Sequence, residues 1–397
     1  MSNEIFFDPI RWDKREIVLQ TNVAPIVTGS SRVVRKVQRL RTKPVKVRFK
    51  FGQDLNVSGE DLALALSTLC GKEFDNVRFG FSVPTITKCD IENWTESCVD
   101  AQGEEEPRKR DLGGTTLNFS GGFDSLAAHY MLPTQQSLVS LDFGGRFSRE
   151  KKFFKHFSPI QIATNVAQTS LRRNSWSFIG LGSLLAMSAT QSKYCTFGSI
   201  IESTGLKRNT AHEKGLTFPP FASAGMTSAP TTQGISEVGT ALVIAEYAPE
   251  HLAASLKSLA SPLEEKLYRK WALARTALQH VGKPVPFLQV VRPEVPHYTF
   301  GERFVVDLTA MMVASLGQED LARQLVRGLD SKKIADAKAL GFDFMFKADA
   351  RMYANYPSEL RPALEKALGK SGIAWYTDKD REDAEEYRQY WESTTQQ

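Results

Sequence analysis

The residues most ready to do chemistry form one run, Thr116-Leu117-Asn118-Phe119-Ser120-Gly121-Gly122-Phe123-Asp124-Ser125. A short apolar strand feeds two glycines, and an Asp and a Ser follow where a helix begins. Gly121 and Gly122 carry no Cβ, so the backbone turns sharply and brings N–H groups close to an anion. The helix start adds unpaired N–H groups and a positive dipole end. Ser120 and Ser125 supply hydroxyl donors. Asp124 is the candidate ligand for a magnesium ion bridging phosphate oxygens. The pattern predicts phosphate binding, with a structural turn as the plainer alternative. It is not a Walker A loop, because no Gly-Lys-Ser/Thr closes it. It is not a dinucleotide fingerprint, because the third glycine is missing.

Other residues are weighed beside it. Arg173 and Asn174 stand at the mouth of an apolar helix. Arg173 is a candidate to grip a triphosphate or a carboxylate bidentately. The alternative is surface charge beside a helix cap. Asp142 ends a strand, where open parallel sheets place ligands, or it makes the turn before Gly144-Gly145. Glu202 and Glu237 flank a long loop and are candidates for magnesium or a purine-like edge. For Glu237 the alternative is an exposed carboxylate at a helix start. Cys195 reads as a packed small residue in an apolar strand. The six histidines show no metal-ligand spacing. The phenylalanines from Phe147 to Phe157 read as core.

These residues need elements to place them. Thr115 to Phe119, Leu138 to Phe143 and Tyr194 to Ile200 read as strands. Ser125 to Leu132, Arg146 to Phe157 and Ser175 to Gln191 read as helices. This alternation predicts an α/β fold, a parallel sheet with helices on both faces. Ahead of it, residues 1–110 read as a β-rich domain. There Val45, Val47, Phe49 and Phe51 alternate with Lys46, Arg48 and Lys50, the signature of a half-buried strand. Val33 to Val37 and Val77 to Val83 look similar, and Leu62 to Leu69 reads as a short helix. The charged stretch 100–113 is the domain boundary. The segment from Glu202 to Gly234, rich in Gly, Pro, Ser and Thr, reads as a long functional loop. Ser236 to Tyr247 and Pro262 to His280 read as helices. Residues 306–397 read as a helical C-terminal region ending in a charged helix, Asp378 to Trp391.

Ser120-Gly-Gly-Phe-Asp-Ser125 resembles the SGGxDS loop of the PP-loop (N-type) ATP pyrophosphatases, which cut ATP between the α and β phosphates. Within them the chain is most similar to 7-cyano-7-deazaguanine synthase (QueC-like proteins), including relatives in bacterial anti-phage defence loci. The similarity covers roughly residues 114–300. It also rests on Arg173-Asn174, on Cys195-Thr-Phe-Gly198-Ser199 and on Gly234-Ile-Ser-Glu237. The resemblance implies a PP-loop ATP pyrophosphatase domain over 111–305, with ATP on Ser120 to Ser125, Asp142 and Gly198, and adenine near Asp142. Ser120, Asp124 and Arg173 would carry the chemistry. Asn174, Glu202 and Glu237 would face the acid substrate. It implies a ligase, in which ATP and Mg2+ adenylate a 7-deazaguanine-type carboxylate and AMP then leaves to ammonia or an amine. The family's zinc-binding cysteine cluster has no counterpart here, since no cysteine lies beyond Cys195. The added N-terminal domain suggests a protein partner or acceptor. Two alternatives are a tRNA-modifying PP-loop enzyme and a non-catalytic nucleotide-binding subunit of a defence complex.

Composition bounds the rest. The chain has 397 residues, 42% apolar and 24% charged, which excludes disordered, collagen-like and small disulfide-stapled classes. A formal charge of +5 against 50 basic and 45 acidic residues argues against a wholesale nucleic-acid binder. Locally, Arg32, Arg35, Lys36, Arg39, Arg41, Lys43, Lys46, Arg48 and Lys50 run without an acid between them. That is a candidate nucleic-acid contact or the wet face of a sheet. Four cysteines without zinc spacing suggest a reducing compartment. With no signal peptide and no span long enough for a bilayer, the expectation is a cytoplasmic protein without membrane contact.

Overall fold

The computed structural model describes residues 3–23, 44–207, 217–261, 263–285 and 288–395. Among the described residues, ten strands make one sheet in the order β10-β9-β6-β7-β8-β3-β2-β1-β4-β5. They are β1 (Glu4–Trp12), β2 (Glu16–Val23), β3 (Val45–Phe51), β4 (Asn76–Ser82), β5 (Cys98–Gly103), β6 (Thr115–Asn118), β7 (Gln136–Asp142), β8 (Ile160–Thr164), β9 (Tyr194–Thr196) and β10 (Thr227–Ser228). Strands β6 to β10 are mutually parallel. β3 joins β8 antiparallel, pairing Phe49 with Thr164 and Phe51 with Ile162. The fold is therefore α/β with a large, mostly parallel sheet, followed by a helical C-terminal region that includes helices Phe304–Ser315, Arg361–Lys370 and Asp378–Thr395. No described helix is long and apolar enough to cross a membrane.

Alternation along the strands divides the core in two. Leu117, Leu138 and Tyr194 face one apolar cluster, which the C-terminal helices complete. Val139, Leu141, Ile162 and Cys195 face a second cluster, shared with Ile5, Phe7, Ile17, Leu19, Val47 and Phe49. In β3, Val47, Phe49 and Phe51 are buried while Lys46, Arg48 and Lys50 are exposed. These three basic residues thus occupy the wet face of the sheet. Arg32, Arg35, Lys36, Arg39, Arg41, Lys43 and the Val33 to Val37 strand lie outside the described residues.

Helix Gly59–Ser67 is buried along its whole length and starts on a capping box between Ser58 and Asp61. It packs on helix Leu181–Leu185. Its first-turn acids, Glu60 and Asp61, meet Arg110 of the connecting segment at 3.0 and 2.9 Å.

One expected helix is not a single helix. Ser175 to Gln191 forms a 3-10 turn (Trp176–Gly180), helix Leu181–Leu185 and helix Met187–Thr190. Packing explains the break. A Cβ on Gly180 would stand 2.4 Å from the Phe221 ring, and one on Gly182 would stand 3.1 Å from both Val139 and Leu141. The chain steps to keep these close approaches. The expected loop from Glu202 to Gly234 holds a 3-10 turn (Ile201–Thr204), helix Pro219–Ser223 and β10.

Candidate functional site

Sheet order places the site. From β6 the chain runs to β7 and β8 on one side, then returns to β9 and β10 on the other. A crevice opens beyond the carboxyl ends of β6 and β9, where open α/β sheets bind ligands. The Ser120 to Ser125 loop leaves β6 into helix Phe123–Met131, and Gly198 follows β9.

The loop is tied to itself and braced from three sides. Ser120 Oγ and Ser125 Oγ share a hydrogen bond of 3.0 Å, and Ser125 Oγ donates to the Gly122 carbonyl at 3.2 Å. Ser255 Oγ donates to the Gly121 carbonyl at 2.8 Å. Gly121 has φ +76°, and a Cβ there would stand 2.5 Å from the Phe153 ring. A Cβ on Gly198 would stand 2.3 Å from the Ser125 nitrogen. Glycine is thus required at 121 for conformation and at 198 for close approach.

The loop opens on a cavity of about 360 Å3. Ser120, Gly122, Asp124, Ser125, Gly198, Arg172, Glu150, Lys266 and Lys270 line its polar part. Val139, Leu141, Phe143, Phe147, Phe178 and Phe197 line its apolar part. A polar end rich in donors and cations beside an apolar slot suits a phosphorylated ligand with a flat ring.

The charges behind the loop are coupled. Lys270 is in direct contact with Glu237, and Arg269 reaches the same carboxylate at 3.8 Å. Glu202 Oε1 accepts the Glu237 N–H at 2.7 Å. Burial pushes the Asp124 carboxyl up, against the pull of Lys270. Burial also acts on Glu237, but Lys270 and Arg269 hold its carboxyl below the usual range. Burial pulls Lys270 down, yet Glu237 and Asp124 outweigh it and keep the ammonium above its ordinary value. Lys266 is lowered by burial and then by Lys270. Burial raises Glu202 to about 8 and Glu150 to about 7. Asp124 Oδ1 and Glu202 Oε2 are buried without a hydrogen-bond partner, and of the two residues Asp124 lines the cavity.

Of the sequence candidates, Ser120, Gly122, Asp124, Ser125 and Gly198 line the cavity. Gly121 shapes the loop, and Phe123 points into the core, fully buried. Asp142 turns away to Lys151 at 2.6 Å and accepts the Gly144 N–H at 3.0 Å, so it forms the turn. Arg173 is exposed, while its neighbour Arg172 lines the cavity. Asn174 Nδ2 donates to the Leu69 carbonyl at 3.0 Å and braces the N-terminal region. Glu202 and Glu237 are buried behind the loop rather than on the cavity wall. Cys195 is fully buried.

The sequence reading missed Arg172, Glu150, Lys266, Arg269 and Lys270. A signal existed for two of them. Lys266 and Lys270 are four apart on helix Glu265–His280, so they share a face.

A second cavity, of about 590 Å3, adjoins the first, and both include Phe197 and Ser199 in their walls. Compared with family models, curated proteins and solved structures, the chain finds no match.

Proposed function

We propose that the protein is an AMP-forming ATP pyrophosphatase that adenylates a carboxylate, of the 7-cyano-7-deazaguanine synthase-like type. The observation that carries this reading is the Ser120 to Ser125 loop. It lies at the sheet's switch point, faced by Lys266 and Lys270, with Asp124 Oδ1 buried and unpartnered among them.

The chemistry follows from leaving groups. A free carboxylate resists attack by an amine. Its oxygen attacks the α-phosphorus of ATP, the bond from that phosphorus to the α–β bridging oxygen breaks, and pyrophosphate departs. The loop N–H groups, Lys266 and Lys270 are fixed donors for the charge that gathers on the departing phosphates. The amine then attacks the acyl carbon, AMP leaves and the amine loses a proton. Asp124 fits a magnesium ion, because one unpartnered carboxylate oxygen beside a phosphate nest is what such an ion takes when the nucleotide supplies its other ligands. Bound there, the ion would neutralise phosphate charge. The amine is ammonia, or a protein amine if the N-terminal region presents one.

The test is product analysis. With ATP, magnesium, 7-carboxy-7-deazaguanine and ammonium, AMP and pyrophosphate are expected, and Asp124→Ala should form neither while keeping its fold. ADP and phosphate as products, or AMP at the wild-type rate from Asp124→Ala, would overturn the proposal.

A further inference from the structure

We infer that the second cavity binds a flat nitrogen heterocycle, and that Gln233 determines which ring is accepted by taking an N–H from it. This deepens the adenylation reading by assigning the acid's ring to a place.

Gln233 is 1% exposed and lies in the cavity wall. Its Nε2 donates to the Ile200 carbonyl at 3.2 Å and toward Ser203 Oγ at 3.4 Å. Those bonds fix which way the amide points. Oε1 is left buried with no partner. Buried acceptors are nearly always satisfied, so an orphan on a cavity wall calls for a donor from a ligand. Oε1 accepts and cannot donate, so the ligand must bring the hydrogen.

The other walls define the ring. Trp176, Phe197, Phe218 and Tyr356 line the cavity. Trp176 lies 5.7 Å from Phe218 and 5.9 Å from Phe197, centroid to centroid. Such walls favour a flat aromatic ligand. The two cavities share Phe197 and Ser199, so an acid group on the ring reaches toward Lys266 and Lys270 of the first cavity.

The N-terminal region stiffens this cavity from outside. Trp94 packs on Phe218 with ring centroids 5.3 Å apart. Asn174 and Ser177, on either side of Trp176, donate to the Leu69 and Thr68 carbonyls at 3.0 and 3.4 Å.

Binding is measured by quenching of Trp176 fluorescence, with 7-carboxy-7-deazaguanine and 2-naphthoate as probes, one ring with N–H donors and one without. Wild type should prefer the first by about tenfold or more. Gln233→Leu should erase that preference and keep its affinity for ATP, and Trp176→Phe should lose the signal. Equal affinity for the two probes, or an unchanged preference in Gln233→Leu, would overturn the inference. A second measurement needs no variant. Methylating the donor nitrogens of the deazaguanine one at a time should weaken binding at least tenfold at one position, and no such position would refute it. The two proposals fail separately. A protein that forms no AMP yet shows the Gln233-dependent preference loses the adenylation reading alone.

Discussion

Lys270 keeps two carboxylates in balance. It touches Glu237 directly, and its charge opposes the upward push of burial on Asp124. Lys270→Met would leave Glu237 buried without its direct partner, with Arg269 at 3.8 Å and Lys266 acting only from a distance. Breaking a buried pair from one side costs about 3–5 kcal/mol, so the urea midpoint should drop clearly. Adding Glu237→Gln should restore most of the midpoint but not pyrophosphate release. Equal midpoints in the single and double variants would refute this. Glu150 supplies a pH test. Burial raises its carboxyl to about 7 from an ordinary 4.5, so the folded state holds a proton that the unfolded state has lost. Its contribution to stability therefore falls as pH climbs from about 4.5 through about 7. Glu150→Gln should gain on wild type as pH climbs from about 4.5 to about 7 in urea titrations, and a constant offset over that range would count against it. Asp124 and Ser120 were legible because their signal is local: two glycines, an acid and two hydroxyls in one run. Lys266 and Lys270 were not, because lysines spaced along a charged helix also describe a solvated face. Arg173 missed by one position, because Ser170–Arg173 is a 3-10 turn that presents Arg172 instead.

Among the elements, the strands show the most direct link from sequence to placement. β3 was readable from its alternation, and its buried and exposed residues follow it. The break within Ser175 to Gln191 was not, since apolar content does not reveal that Gly180 and Gly182 must pass under Phe221 and over Val139. The glycine loop ties element to chemistry. Gly121→Ala would force a left-handed φ of +76° on a side chain whose Cβ meets Phe153 at 2.5 Å. The backbone term alone costs about 1–2 kcal/mol. A lower melting temperature and weaker ATP binding are expected together. Phe153→Leu added to Gly121→Ala should recover part of the melting temperature, because it relieves the clash but not the backbone. No recovery at all would show that the ring contact is irrelevant.

For the whole molecule, the expected α/β core and helical C-terminal region were legible, because strand and helix patterns alternate and then give way to helices. The single sheet was not. Pairing of β3 with β8 joins residues more than a hundred positions apart, and no local pattern encodes such a partner. Arg110 adds a second link, holding Glu60 and Asp61 of the N-terminal region and donating to the Ala224 carbonyl at 3.3 Å. Arg110→Met would strand two buried carboxylates, and burial already pushes Asp61 up. A loss of about 3–5 kcal/mol is expected. It should appear as one transition, the same by tryptophan fluorescence and by circular dichroism. Separate transitions would mean the two halves melt independently. The seam at β8 also governs how this chain can be trimmed. A fragment starting near residue 111 would bare the Ile160–Thr164 backbone along one side, and unpaired strand margins recruit other chains. Such a fragment should precipitate or self-associate on purification, whatever its catalytic centre retains.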